Sequence, residues 1–492
     1  MNQRQAYYKR SAFGPASHKA EVSSLVRLLG PWREGSGPLF ARLAKALAFG
    51  PVGEELGTSV RLPSERALAG ALRVSRSTVT AAYDLLKSEN QAYARHGDGT
   101  YFGDLLESVP PVFGGQQLAR MMYAGGEPAG RFQLAMAYMP PSDRLLAAHL
   151  PIGTLIAATS RALPGFAPAG LPALRSAIAA TYAKRGLPTT EDQVLVTTGA
   201  QQALYMISKL YHGARAALEE PSQPGTIDAL RANDIAALPL RIDDDGPDVE
   251  PLVAANDVRL VFLATYNDPT GVHLSSARRE RLLSLARSRA LVIVEDESLI
   301  DVSTRSTNPP PPLAALAPAA DVVQIGSLSK LLWSGMRIGW IRAKPSLVAR
   351  LAALKAVSDL GTPLLSQALA ASLLPQIEEL RAERRVFLEP RKKAVRATLA
   401  RLLPAWKLNA PRGGIGYWVT LPHGNATLFA QAALRHGVNI APGSAFSVSG
   451  ECARQLRIPF VLEPAVLEAA IERLADAWAS YIAAGYRCEA VS

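Results

Sequence analysis

A chain of 492 residues exceeds what one hydrophobic core ordinarily organises, so about two or three domains are expected. Its 48% hydrophobic and 19% charged residues exclude a disordered chain, and the absence of any apolar run of ~18 residues excludes a transmembrane helix. Net charge is +11, and residues 1–105 carry 14 Lys and Arg against 9 Asp and Glu, a surplus that suits a partner bearing phosphates.

Residues 1–37 are polar and punctuated by Gly30, Pro31, Gly35 and Gly37, which predicts a loose N-terminal arm. The opening MNQRQAYYKR has no apolar stretch behind it, so no signal peptide is expected. Only Cys452 and Cys488 occur, without metal-ligand spacing to histidine, and a reducing, cytoplasmic setting with no metal site follows.

Residues 38–102 read as a compact, helix-rich domain. Leu39, Phe40, Leu43 and Leu47 recur at helical spacing, which starts a first helix after Pro38. Pro63 and Glu65 fit the first turn of a second helix, where a missing N–H and a negative charge are both tolerated. Arg73, Val74 and Ser75 make a tight turn, and a third helix places Val79, Ala82, Tyr83 and Leu86 on one face. Arg76, Ser77, Thr78 and Thr80 then point outward from its N-terminal end, where a helix-turn-helix reaches base edges in the major groove. The stretch YARHGDGTYF, a strand, a Gly-containing turn and a strand, is the wing, with Arg95 and His96 near its tip. A helical hairpin followed by an ordinary turn is the bland alternative; the wing in the right place favours a winged helix-turn-helix.

Residues 103–130 are rich in Gly and Pro and predict an interdomain linker. From 131 to 488, strand-like runs alternate with helical ones: QVLVTT before GAQQALYMISKLY, then RLVFLAT, ALVIVEDE and DVVQIGS. This is an α/β pattern, a large lobe on a mainly parallel sheet with sites at the strand ends. Beyond about Pro375 a smaller α/β lobe follows, and NPPPP (308–312) is a surface loop.

In GSLSKLLWSGMRIGW, Lys330 follows a buried strand, with Ser327 and Ser329 before it and Arg337 seven residues on. A lysine amine condenses with an aldehyde, while hydroxyls and a guanidinium hold a phosphate. Gly199, Ala200 and Gln201 open a helix just after a strand, and their free N–H groups add to a phosphate cup. Asp296, at the end of LVIVED, could pair with a protonated ring nitrogen. Each piece alone is common; their order and spacing point to pyridoxal phosphate (PLP).

Together these segments resemble the MocR-type members of the GntR family of bacterial transcription regulators, which fuse a winged helix-turn-helix to a domain similar to the fold-type I aminotransferases. The likeness runs from about Leu25, through LLGPWREGSGPLF, almost to the C-terminus, and includes GVNIAPGSAF and LRIPF. The resemblance implies that Arg66, Arg76, Thr80, His96 and Gly97 lie at DNA. It makes Lys330 the PLP-bearing lysine, Asp296 the partner of the ring nitrogen, Ser327 and Arg337 phosphate ligands, and Arg457 the clamp for a ligand carboxylate. Three positions depart from the pattern. Gln223 in PSQPG stands where an aromatic ring would stack on the cofactor, and Ser298 in EDES stands where a tyrosine would bond it. In NDPTG, Asp268 precedes the proline and Asn267 is one place away. Gln223 and Asn267 are carried as cofactor contacts, though the departures should weaken PLP binding. The implied protein is a homodimeric regulator of a double-stranded DNA operator, with PLP, alone or with an amino acid or amine, as effector. Two alternatives stand beside it: a working PLP-dependent aminotransferase with a DNA-binding appendage, and a regulator that has lost PLP and keeps the large domain for dimerisation only.

Overall fold

The computed structural model describes residues 22–29, 32–34, 38–49, 60–88, 92–95, 99–102, 117–123, 131–148, 151–153, 156–157, 165–303 and 309–483. Residues 1–21 of the expected arm, 103–116 and 124–130 of the expected linker, and Cys488 lie outside them. The chain divides into two compact units, one built from residues up to 114 together with 479–487, the other mainly from 115–478.

The first unit is a winged helix. Helices α1 (Val22–Leu28), α2 (Leu39–Phe49), α3 (Glu65–Leu72) and α4 (Arg76–Ser88) accompany a sheet of β1 (Val60–Arg61), β2 (Ala92–Arg95) and β3 (Gly99–Phe102), ordered β1-β3-β2 and antiparallel throughout. Val79, Ala82, Tyr83 and Leu86 are all buried, as the helical spacing requires, and meet Leu43, Leu47 and Leu68 in one core. Two expectations change. The arm contains α1, whose Leu25, with Leu29 just beyond it, enters that core, so this part of it is not loose. Pro63 stands before α3 and not inside its first turn: Ser64 is the N-cap, its hydroxyl accepting the Ala67 N–H at 3.3 Å. The Pro63 carbonyl instead accepts the Tyr83 hydroxyl at 2.9 Å, which ties the start of α3 to α4. Arg73 turns the chain between these helices in the left-handed region, φ 51°.

The second unit is built on an eight-stranded sheet: β4 (Val194–Thr197), β5 (Arg215–Glu220), β6 (Ala236–Asp243), β7 (Gly246–Pro247), β8 (Val258–Ala264), β9 (Val292–Asp296), β10 (Asp321–Ser327) and β11 (Gly339–Arg342). The spatial order is β4-β11-β10-β9-β8-β5-β6-β7. Strands β10, β9, β8, β5 and β6 run parallel, and β11 is antiparallel to both β10 and β4. Successive residues feed opposite faces: Val194, Val196, Val261 and Leu263 join one core, while Leu195, Leu260 and Phe262 join the other. Both faces are covered, which is why these strands read as continuous apolar runs. Asp296 and Ser327 close β9 and β10, and Gly199 and Lys330 follow β4 and β10, so the chemistry collects at the strand ends. A smaller four-stranded sheet, Lys407–Leu408, Gly416–Thr420, Gln455–Pro459 and Ala441–Pro442 in spatial order, carries Arg457.

One further segment alters the reading of the linker. Residues Gln117–Tyr123 form helix α5, and its first amides, Gln117 N–H and Leu118 N–H, donate to the Asp228 carboxylate at 2.9 and 2.7 Å. Asp228 lies on the helix Pro224–Arg231, so this stretch of the expected linker belongs to the large domain. Among the described residues no helix is long and apolar enough to cross a membrane.

Candidate functional site

At the strand ends lies a cavity of about 500 Å³. Lys330, in the turn after β10, reaches its wall and donates to the Ala137 carbonyl at 2.7 Å. Burial pushes its amine down to about 8, and the guanidinium groups of Arg457 and Arg337 act in the same direction against the pull of Asp268. An amine of that basicity is partly neutral near physiological pH, and only the neutral form attacks an aldehyde.

Asp296 faces the same cavity from the end of β9. One carboxylate oxygen accepts the Ser298 N–H at 2.8 Å and the other accepts the Gln223 side-chain amide at 3.3 Å. Burial raises its carboxyl to about 6 despite the Ser298 hydrogen bond. Gln223 therefore offers Asp296 a polar contact from the position where the family pattern has an aromatic ring. Ser298 also lines the cavity.

Two serines and an arginine gather beside the lysine. Ser327 donates to the Ser329 hydroxyl at 3.1 Å and accepts the Ser329 N–H at 3.2 Å. Arg337, left-handed at φ 52°, donates through Nη2 to the Thr198 carbonyl at 2.8 Å. Helix α6 (Ala200–Leu210) starts here with Gly199 as its N-cap, φ 83° and ψ 171°. A Cβ on Gly199 would lie 2.7 Å from Arg337 Nη2 and would push the guanidinium aside. Ala200 and Gln201 line the cavity, and Gln201 is braced by its bond to the Gly225 carbonyl at 2.8 Å.

Asn267 is not with them. Its side chain is buried beneath the turn, where Nδ2 donates to Glu219 at 3.0 Å and to the Pro221 carbonyl at 2.9 Å, while Oδ1 accepts from both the amide and the hydroxyl of Thr270. These bonds use its polar atoms to hold the turn, so it contributes no group to the cavity. Its neighbour Asp268 does: it lines the cavity and contacts Arg457. Burial carries the Glu219 carboxyl behind it up to about 8. Leu118, Met121 and Met122 of α5 also line the cavity. Their i, i+3, i+4 spacing was the available signal, masked by the Gly and Pro around them.

In the winged helix, Arg61, Arg66 and Arg76 border one groove together with Glu65. Arg66 is exposed. Arg76 Nε sits 3.2 Å from Glu65 Oε2, the atom that also accepts the Thr80 hydroxyl at 2.9 Å. The Arg76 side chain is 73% exposed, so this pair is weak and exchangeable. Ser75 caps α4: its hydroxyl accepts the Thr78 N–H at 3.1 Å and bonds the hydroxyls of Ser77 and Thr78 at 2.8 and 2.7 Å. His96, Gly97 and the side chain of Arg95 lie outside the described residues. Among the described residues no cluster of three or more His, Cys, Asp or Glu side chains could hold a metal ion.

Residues 141–474 match the family described as aminotransferase class I and II. The chain belongs to that family. Residues 53–102 match the bacterial regulatory proteins of the gntR family, so a gntR-type helix-turn-helix is joined to an aminotransferase domain in the MocR-type order. The uncharacterized HTH-type transcriptional regulator YisV of Bacillus subtilis is 28% identical, the match covering 87% of this chain and 93% of that protein. Aromatic-amino-acid aminotransferase 1 of Thermococcus litoralis is 30% identical over 62% of this chain and 78% of its own length. The solved structure of Pyrococcus horikoshii kynurenine aminotransferase, in complex with PMP, superposes with a TM-score of 0.65 at 26% identity, covering 77% of this chain and 99% of that one.

Proposed function

We propose that this protein is a DNA-binding transcription regulator whose aminotransferase-like domain binds PLP as effector, alone or with an amino compound. One observation carries the reading: a chain with an exposed basic helix-turn-helix face also holds a cavity in which Lys330, Asp296 and Arg337 converge. The residues fit the cofactor. Lys330 is a partly neutral amine at the cavity wall, Arg337, the paired serines and the N-terminus of α6 suit a phosphate, and Asp296 suits a ring nitrogen. The PMP in the Pyrococcus horikoshii complex supports the same assignment. PLP, when bound, supplies an aldehyde that captures an amine and a ring that withdraws electrons. Lys330 would hold the aldehyde, Asp296 would keep the ring nitrogen protonated, and Arg337 with Ser327 would fix the phosphate.

We place regulation ahead of transamination because turnover requires sub-ångström placement of the reacting groups. Here Gln223 and Ser298 replace two cofactor supports, and Arg457 already faces a carboxylate. On the winged-helix side, Arg76 and Thr80 would exchange Glu65 for base edges, and Arg66 would meet phosphate. Exposed Phe166 and Leu360, either side of the Ala167–Gly361 bridge, offer apolar surface for the second copy of a homodimer. Such a regulator would work in the cytoplasm, where its DNA is. The test is an absorbance spectrum. Protein incubated with PLP should show a visible band that borohydride traps and that Lys330→Ala lacks. A colourless wild type under added PLP would leave the large domain as a dimerisation module only.

A further inference from the structure

Arg457 is nearly enclosed, with 6% of its side chain exposed. Its guanidinium carbon lies 5.1 Å from the centre of the Phe446 ring, and Nη2 donates to the Ala135 carbonyl at 2.6 Å. Nε is buried without a hydrogen-bond partner, and Nη1 faces the two carboxylate oxygens of Asp268 at 3.4 and 3.3 Å.

The backbone around Asp268 is braced from several sides. The Asn267 N–H donates to the Val272 carbonyl at 2.8 Å and the Gly271 N–H to the Asn267 carbonyl at 2.6 Å, closing the turn. Asn267 ties it inward to Glu219 and Pro221, and Asn409 bonds the Thr270 carbonyl from the other side. Gly271, at φ 67°, packs so closely that a Cβ there would lie 2.4 Å from the Gly413 carbonyl oxygen. The side chain of Asp268 is 28% exposed and lines the cavity that Lys330 lines. Its negative charge thus stands where a ligand's carboxylate would arrive, and that carboxylate would meet a like charge already facing Arg457 Nη1. A ligand with an ammonium group and no carboxylate meets the opposite sign.

We propose that Asp268 is a resident carboxylate on Arg457, and that the site therefore takes primary amines lacking a carboxylate beside the amino group in preference to α-amino acids. This rests on the reading of the Lys330 cavity as a PLP site, and it names the class of amino compound that site accepts. Asp268 is the specificity-determining residue: it raises the cost of the wrong ligand by repulsion and attracts the right one.

Leucine and 3-methylbutylamine differ only by the carboxylate, and calorimetry on PLP-loaded protein compares them directly. Wild type should bind the amine roughly tenfold or more tightly than leucine, and Asp268→Asn should move that ratio by roughly tenfold towards leucine. Equal or tighter binding of leucine by wild type overturns the proposal, as does a ratio unchanged in the variant. The wild-type ratio alone decides the matter should Asp268→Asn fail to fold. A second arm needs no cofactor. On PLP-free protein, 3-methylbutanoate should raise the unfolding midpoint of Asp268→Asn and leave wild type unmoved; an equal response in both shows an open clamp and refutes the proposal. A wild type that never takes up PLP counts against the cofactor reading, while this second arm still decides the role of Asp268.

Discussion

Replacing Gly199 by alanine should damage the proposed phosphate site in a way that separates backbone strain from lost binding. Gly199 holds φ 83° and ψ 171°, a conformation open to glycine almost alone, so alanine brings about 1–3 kcal/mol of strain. Its Cβ would also lie 2.7 Å from Arg337 Nη2, and the guanidinium must swing away, breaking its 2.8 Å bond to the Thr198 carbonyl at a further ~0.5–1.5 kcal/mol. Urea unfolding of PLP-free protein should therefore show a loss of about 1.5–4.5 kcal/mol. PLP affinity, read from the visible band, should fall roughly tenfold to a hundredfold, because a charge-assisted bond to phosphate is worth about 1.5–3 kcal/mol. The control is Gly186→Ala. Gly186 has a similar φ of 80° but no atom within 4 Å of the added Cβ, so it should lose about 1–2 kcal/mol of stability and bind PLP as wild type does. Gly199→Ala protein that binds PLP like wild type would refute the placement of Arg337 and the α6 N-terminus at a phosphate.

Two further predictions concern the lysine and the DNA face. Because burial holds Lys330 at about 8, the rate of PLP uptake should rise about tenfold per pH unit up to about pH 8 and then level off, whereas an ordinary lysine would keep accelerating past pH 10. The same shift means the unfolded chain binds more protons above pH 8, so folding stability contributed by this group grows from about pH 8 towards the ordinary lysine value; uptake that still climbs steeply above pH 9 would contradict it. Arg76→Ala should lose about 1–3 kcal/mol of operator affinity and flatten sequence preference, as expected of a base contact. Arg66→Ala should weaken all sequences alike and reduce the salt slope by about one, and unchanged operator binding by Arg76→Ala would mean another face reads the bases.

What the sequence made legible is what local pattern controls. The buried face of α4 follows from helical spacing at Val79, Ala82, Tyr83 and Leu86, and the sheet from runs such as VLVT, whose alternate residues fill two cores. Of the cavity residues, Asp296 and Ser327 end strands and Lys330 and Arg337 lie in the turn between two strands, where periodicity switches, whereas Arg457 sits inside the strand Gln455–Pro459. The features that escaped depend on distant partners. Helix α5 is held by Asp228, more than a hundred residues along the chain, so its short apolar triplet was lost among Gly and Pro. The swap of Asn267 for Asp268 is a one-residue question of which way a turn faces, and it is decided by Glu219 and Pro221. The pairing of Arg76 with Glu65 spans eleven residues and two helices, and no local rule announces it.

PLP at Lys330 is expected to change how the winged helix holds DNA. Operator affinity of wild type with PLP, wild type without it, and Lys330→Ala, all at one salt concentration, tests it directly. A coupling of ~1–3 kcal/mol should shift wild-type affinity some 5–150-fold on adding PLP, with PLP affinity shifting reciprocally on adding operator, and Lys330→Ala should not respond. Equal affinities in all three would contradict the claim and leave the lysine without a part in regulation.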